Sequence, residues 1–318
     1  MVDKHRINDL QNLVSMSLSG IYSDGPRSLT QPINYVLKGG GKRLRPILTI
    51  LVAETFGTSK IDSLPAALAV EILHNFTLVH DDIMDEDDIR HNQPTVHKKW
   101  DTGVAILTGD AMLSLALKKL QRMNPNSLEA MAVFVDGLLA VCEGQALDKE
   151  FEMMSKVTLE QYIEMVDLKT GYLLGLSAEL GALVADTDKV TRVALRDYAR
   201  LLGRAFQVQD DLLEIFSDAD KMGKSLESDI ILGKNTYLMI IAKQEFPEEI
   251  KSAIELAKSN FVDGLHQIRK IMIDNNIKES AEIFINKTIA KANALLVNID
   301  CDKTALNYFS NMIMKRNH

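Results

Sequence analysis

The sequence predicts an all-α protein. Apolar residues recur at helical spacing from end to end, and alternating runs of Val, Ile or Thr are almost absent. Helix breakers are few, with 7 Pro and 17 Gly in 318 residues. Helices are expected over 3–22, 29–38, 43–57, 62–84, 94–100, 103–121, 126–154, 158–183, 188–217, 234–243, 247–273, 278–297 and 302–315. Pro32 suits an early helical position after Thr30. Leu64 to Val79 and Leu173 to Val184 are apolar on more than one face, which places them inside a large bundle. No low-complexity linker or short-period repeat divides the chain, so 1–318 reads as one domain.

Apolar residues make up 46% and charged residues 25%, the balance of a soluble globular protein. A net charge of −8 argues against nucleic acid as a partner, though a local basic pocket can still bind anions. Cys142 and Cys301 define neither a disulfide framework nor a metal cluster, so a reducing, cytoplasmic compartment is expected. The first residues, Met1 to Arg6, are polar with no apolar region after them, and no run of eighteen apolar residues suggests a membrane span.

The chemistry gathers around Leu78-Val79-His80-Asp81-Asp82-Ile83-Met84-Asp85, an apolar helix ending in carboxylates. Asp81 and Asp85 share a face, Asp82 can swing to the same place, and His74 lies two turns beneath. Carboxylates this close repel and call for a cation. Oxygen-only donors on a short spacing suit Mg²⁺ before Zn²⁺. The rival reading is a helix end fraying into a solvated acidic loop, since Glu86, Asp87 and Asp88 follow.

Upstream, Gly39-Gly40-Gly41-Lys42-Arg43-Leu44-Arg45-Pro46 is a glycine turn running into a helix expected to start with Lys42, Arg43 and Arg45. It is not a P-loop, because no Ser or Thr follows the lysine. Cations at a helix N-terminus oppose its dipole, a conflict that a bound anion relieves; the alternative is a basic surface loop. Arg90 is a candidate for an oxyanion, while His91 and His97 read either as metal ligands or as plain polar residues.

Further on, Gln145 and Asp148 share a helix face and either orient a neighbour or satisfy each other. Lys169, set among Leu, Gly and Ala, needs a counter-charge from a diphosphate or from the acidic cluster. A second cluster, Phe206-Gln207-Val208-Gln209-Asp210-Asp211-Leu212-Leu213-Glu214, repeats the acidic spacing of the first, with Gln207, Asp210, Asp211 and Glu214 on one stripe. Two such runs on two buried-looking helices point to a shared metal site. A polar loop with Lys221, Lys224, Asp229 and Lys234 reads as a mobile cover supplying cations.

Taken together, the two acidic motifs, GGKRLRP, Gly144 to Asp148, Lys169-Thr170-Gly171 and Phe206-Gln207-x-x-Asp210-Asp211 resemble the polyprenyl synthetase family, in the family's order. The likeness is to the short-chain trans-isoprenyl diphosphate synthases, of geranylgeranyl type. It implies the isoprenoid synthase fold, a bundle of long helices around a deep central cavity, usually a homodimer. It implies Mg²⁺, usually three ions with Mn²⁺ as a substitute, at Asp81, Asp82, Asp85, Asp210, Asp211 and Glu214. Arg90, Lys169, Lys234 and Lys224 then meet the diphosphate of an allylic substrate (dimethylallyl, geranyl or farnesyl). Lys42, Arg45 and His74 bind isopentenyl diphosphate, with His91 where the family commonly has a second arginine. Thr170 and Gln207 line the reacting region. In the family, positions four to eight before the first Asp set product length. Here these include Thr77, Phe76 and Leu73, and a ring at the fifth suggests a C20 product with C15 next. Glu214 stands where Asp is usual. The likeness also leaves two rivals, a class I terpene cyclase and a non-catalytic partner subunit; the GGKRLRP stretch opposes the first and the intact Asp81, Asp82 and Asp85 oppose the second.

Overall fold

The structure is a computed structural model that describes residues 3–123, 126–154, 156–216, 230–231 and 234–314. Among these residues the helices are α1 (Lys4–Leu18), α2 (Arg27–Lys38), α3 (Leu44–Thr55), α4 (Lys60–Met84), α5 (Val96–Lys99), α6 (Thr102–Leu120), α7 (Ser127–Met153) and α8 (Leu159–Val166). After a π-helix, Asp167–Gly171, come α9 (Tyr172–Val184), α10 (Lys189–Phe216), α11 (Tyr237–Glu245), α12 (Pro247–Ser259), α13 (Phe261–Asp274), α14 (Ile277–Leu295) and α15 (Thr304–Met314). The described strands are β1 (Ile89–Arg90) and β2 (Gln93–Pro94), an antiparallel pair.

Backbone packing divides the chain into two units. The first comprises Met1–Leu138, Leu173–Arg196 and Asn298–Phe309; the second comprises Leu139–Tyr172, Asp197–Val297 and Ser310–His318.

In the first unit, side-chain caps start the helices: Asp3 accepts from the Arg6 amide, Ser59 from Asp62 and Asp101 from Val104. α3 buries eight consecutive residues, Pro46 to Ala53, and α4 buries Ala66 to Leu73. These are interior helices, as their all-round apolar character predicts. α4 packs most closely on α6, where a Cβ on Gly109 would stand 2.1 Å from His80 Nε2. α9 reaches α3 through Thr49, whose hydroxyl donates to the Ser177 carbonyl at 2.9 Å.

In the second unit one apolar core joins Tyr162, Val166, Val208, Leu212, Tyr237, Ile268 and Ile285 with their neighbours. α8 opens with a capping box between Thr158 and Gln161.

Several boundaries differ from expectation for local reasons. α1 stops at Leu18 because the Ser19 amide folds back onto Ser15 and Met16, and Gly20 then takes φ 71°. Pro32 lies inside α2, which begins earlier than predicted, at Arg27. The helix expected over 247–273 breaks at Asn260, whose side chain caps the next helix by accepting from the Asp263 amide. Gly264 then allows α12 and α13 to touch, since its Cβ would lie 2.3 Å from the Ala257 nitrogen. The expected helix 158–183 is interrupted by the π-helix. Against the expectation of no span, α7 contains an 18-residue window of mean hydropathy 1.5, long and apolar enough to cross a membrane by length and composition.

Candidate active site

In the first unit the site residues gather at the last turns of α4. The glycine turn before α3 takes left-handed backbone at Gly40 (φ 85°), Gly41 (φ 110°) and Arg43 (φ 49°). That twist sends Arg43 inward, where it donates to Glu71 at 2.5 Å and to the Leu37 carbonyl at 2.7 Å. Asn75 donates to the same Glu71 carboxylate. The expectation that Lys42, Arg43 and Arg45 all open the helix is therefore corrected. α3 starts at Leu44, Lys42 precedes it, and Arg43 is a buried charge neutralised by Glu71. Glu71, 28 residues away, was not singled out from the sequence.

The Arg45 guanidinium lies 3.1 Å from His74 Nε2. Burial, then Arg45, Arg90, Arg43 and His91, hold His74 well below the usual histidine range, so it stays neutral. His91 is also lowered, by burial first and then by Arg90 and Arg43. The hairpin bearing Arg90 and His91 turns on two left-handed residues, His91 (φ 49°) and Asn92 (φ 60°). Tyr35 fixes it by donating to the Pro94 carbonyl at 2.7 Å, with Lys99 3.7 Å above the Tyr35 ring. A cleft beside this hairpin is lined by Tyr35, Gly39, Asn75, Asp82, Arg90 and His91.

Arg90 donates through Nε to Asp82 and through Nη2 to Asp87 at 3.3 Å. Asp82 is buried, and burial raises its pKa although Arg90 opposes the rise. Asp82 is thus paired with Arg90, whereas Asp81 is half-buried and Asp85 exposed on α4's last turn. Among the described residues no three His, Cys, Asp or Glu side chains converge into a ready-made metal centre. The donor set of Asp81 and Asp85, oxygen only and on one helix face, nevertheless fits a hard cation that keeps part of its water shell. Leu73 is fully buried, the Phe76 ring sits 4.7 Å from the His80 ring, and Thr77 donates to the His74 carbonyl.

In the second unit Lys169 finds its counter-charge in Asp148, at 2.5 Å, rather than in the acidic clusters. Gln145 and Asp148 do not satisfy each other: the Gln145 side-chain amide is buried with no hydrogen-bond partner among the described residues. A Cβ on Gly144 would lie 2.4 Å from the Lys169 nitrogen, so glycine alone lets α7 pass there. Thr170 donates to Gln207 Oε1 at 3.3 Å, and Gln207 Nε2 donates to Asp211 at 3.2 Å. Asp211 also accepts from the Tyr162 hydroxyl and from the Tyr237 amide at 2.9 Å. Both Asp211 oxygens are thus engaged, and burial raises its pKa. Asp210 and Glu214 lie half-buried on the same helix and Lys234 is exposed. Tyr162 and Tyr237 escaped the sequence reading, since nothing local marks them. Lys224, with Lys221 and Asp229, lies outside the described residues.

The polyprenyl synthetase family model matches residues 26–272. The geranylgeranyl diphosphate synthase of Methanosarcina mazei is 44% identical over 220 residues, covering 68% of each chain. The geranylfarnesyl diphosphate synthase of Natronomonas pharaonis is 38% identical over 239 residues, covering 69% of this chain and 70% of that one. A crystal structure of a geranylgeranyl pyrophosphate synthase superposes with a TM-score of 0.92 at 34% identity, covering 100% of both chains. The fold is accordingly the all-α isoprenoid synthase fold. With its motifs in order, its helices in place and its sequence matched over most of its length, this chain belongs to the polyprenyl synthetase family.

Proposed function

We propose that this chain is a short-chain trans-prenyl diphosphate synthase that condenses isopentenyl diphosphate with an allylic diphosphate and acts as one functional domain over 1–318. The observation that carries the reading is the patch at the end of α4. Arg45, Arg90 and His91 surround a neutral His74 directly beneath the carboxylates of Asp81 and Asp85. Such a patch receives an anion on one side and a cation on the other.

Asp81 and Asp85 of the first unit, and Asp210 and Glu214 of the second, are the residues that would hold Mg²⁺, which would supply the charge that a departing diphosphate requires. Asp82 and Asp211 keep Arg90 and Gln207 in place. Arg90, Lys169 and Lys234 set fixed cations against the allylic diphosphate. They meet the negative charge that grows as the C–O bond stretches, more than that of the ground state. Lys42, Arg45 and His74 hold isopentenyl diphosphate so that its double bond attacks the allylic carbocation. The released pyrophosphate takes the proton, in keeping with a chain whose sequence singles out no His or Glu as a dedicated base. Thr170 and Gln207, already linked, line the reacting carbon.

The buried Phe76 supports a C20 product, with C15 next. A homodimer is supported by apolar side chains left exposed on α6 (Ile106, Leu107) and α7 (Leu128, Val135, Leu139), which a second copy would cover. The same pairing accounts for the apolar window of α7 without a bilayer, and a cytoplasmic location goes with it. Incubation with isopentenyl diphosphate, each allylic starter and Mg²⁺, followed by chromatography of the dephosphorylated products, tests the reading. Elongated prenyl chains are expected. No elongation with any starter overturns it in favour of a non-catalytic partner subunit, and a cyclic hydrocarbon points to a cyclase.

A further inference from the structure

The π-helix Asp167–Gly171 carries both Lys169 and Thr170. A π-turn adds one residue to the helix and persists only where tertiary contacts hold it. Three such contacts come from α10. The Asp167 carboxylate, 8% exposed, accepts from Arg200 and, at 2.9 Å, from Arg204 Nε. The Arg200 guanidinium also lies 3.8 Å over the ring of Tyr172, the first residue after the π-turn. Between the two arginines the backbones nearly touch: a Cβ on Gly203 would lie 2.7 Å from Gly171 Cα, and one on Gly171 would lie 2.6 Å from the Asp167 carboxylate. Arg200, Gly203 and Arg204 continue along one face of α10 to Gln207 and Asp211.

We propose that Asp167, clamped by Arg200 and Arg204, is a positioning residue that holds this turn in the π register and so aims Lys169 and Thr170. The inference rests on the function proposed above. Relaxation to a regular helix would remove the extra residue, rotating Lys169 and Thr170 by about 100° and shifting them by about 1.5 Å relative to one flank. Thr170 would then leave Gln207 and Lys169 would leave Asp148. Burial acts to raise the Asp167 pKa, yet the two arginines outweigh it and hold the carboxyl below the usual range, so it is ionised throughout the working range. Removing the carboxylate alone leaves two guanidiniums without their shared partner, so melting falls as well. The signature that separates aiming from stability is a loss of turnover that depends on Lys169.

The test is a double-mutant cycle on the full chain with Asp167→Asn, Lys169→Ala and both, reading kcat, the KM for isopentenyl diphosphate, and Tm. Asp167→Asn alone is expected to lower kcat on the order of 10- to 100-fold, as misplacement by about 1 Å does. The KM for isopentenyl diphosphate should stay within about twofold, because Lys42, Arg45 and His74 are untouched. In the Lys169→Ala background the same change is expected to cost clearly less, on the order of threefold, since only Thr170 is left to aim. Equal fold-losses in both backgrounds, or a kcat near wild type for Asp167→Asn, overturns the inference while leaving the function standing. A Lys169→Ala enzyme of unaltered kcat overturns the lysine's role itself and this inference with it. If Asp167→Asn does not fold, Arg204→Lys and Arg204→Gln replace it. The lysine variant should retain most of the turnover that the glutamine variant loses, and equal loss in both refutes the clamp.

Discussion

Replacing Gly144 by alanine should slow turnover far more than it loosens the fold. The added methyl would sit 2.4 Å from the Lys169 nitrogen, 2.8 Å from Lys169 Cα and 2.8 Å from the Leu168 carbonyl carbon, where 3.4 Å begins ordinary contact. All three are backbone atoms, so no side chain can swing away and α7 must part from the π-turn by about 1 Å. Overpacking of this size costs about 1–3 kcal/mol. Alanine is the better helix former by about 1 kcal/mol, so the net destabilisation is about 0–2 kcal/mol. For a chain this large that lowers Tm by only a few degrees. The 2.5 Å contact from Lys169 to Asp148 opens by a similar distance. A misplacement of about 1 Å costs on the order of 100-fold in rate, about 2.7 kcal/mol in the barrier. Pyrophosphate release at saturating substrates, alongside scanning calorimetry, measures both. A Gly144→Ala enzyme within twofold of wild-type kcat would show that α7 and the π-turn can separate without disturbing Lys169.

Tyr162→Phe should lower Tm by several degrees at neutral pH, because Asp211 loses a charge-assisted hydrogen bond worth about 1.5–3 kcal/mol. Burial raises the folded pKa of Asp211, so its ionisation subtracts stability as pH rises from the unfolded value past the folded one. The Tyr162→Phe deficit is therefore full above the folded pKa and shrinks as pH falls through it, which melting curves at neutral and acid pH will follow. Phe76→Ala should lengthen the product, read by chromatography; an unchanged distribution removes Phe76 from that role. His91 is lowered by burial and by Arg90, so it is neutral above pH 7 and gains from an anion only on protonation. The KM for isopentenyl diphosphate should fall as pH drops from about 6.5 towards 5, the window below the ordinary histidine value where His91 takes its proton. In His91→Arg that slope should vanish and the KM at pH 8 should fall about threefold, roughly 0.7 kcal/mol.

The acidic clusters and the interior helices were legible because each is written within a few turns of chain. Asp81 and Asp85 share a face by spacing alone, and the all-round apolar run of α4 states its own burial. What was not legible depends on distant partners. Arg43 looks like a site cation until Glu71 arrives from α4 to neutralise it. Lys169 cannot announce that Asp148, 21 residues earlier, is its counter-charge. The π-turn has no local signal, since the arginines that hold it come 33 and 37 residues later. The break at Asn260 is different. Its capping pattern with Asp263 stands in the sequence, and a strong helical period on both sides concealed it.

The Arg90 guanidinium already rests on Asp82 and Asp87. In the function proposed above, an anion arriving at Arg90 must therefore compete with two resident carboxylates and gains only the difference. The same resident partners take the cation back when pyrophosphate departs, so emptying the site never strands a naked charge. Tight grip is given up for quick exchange, and a catalyst that must discard one highly charged by-product in every cycle is better served by the second.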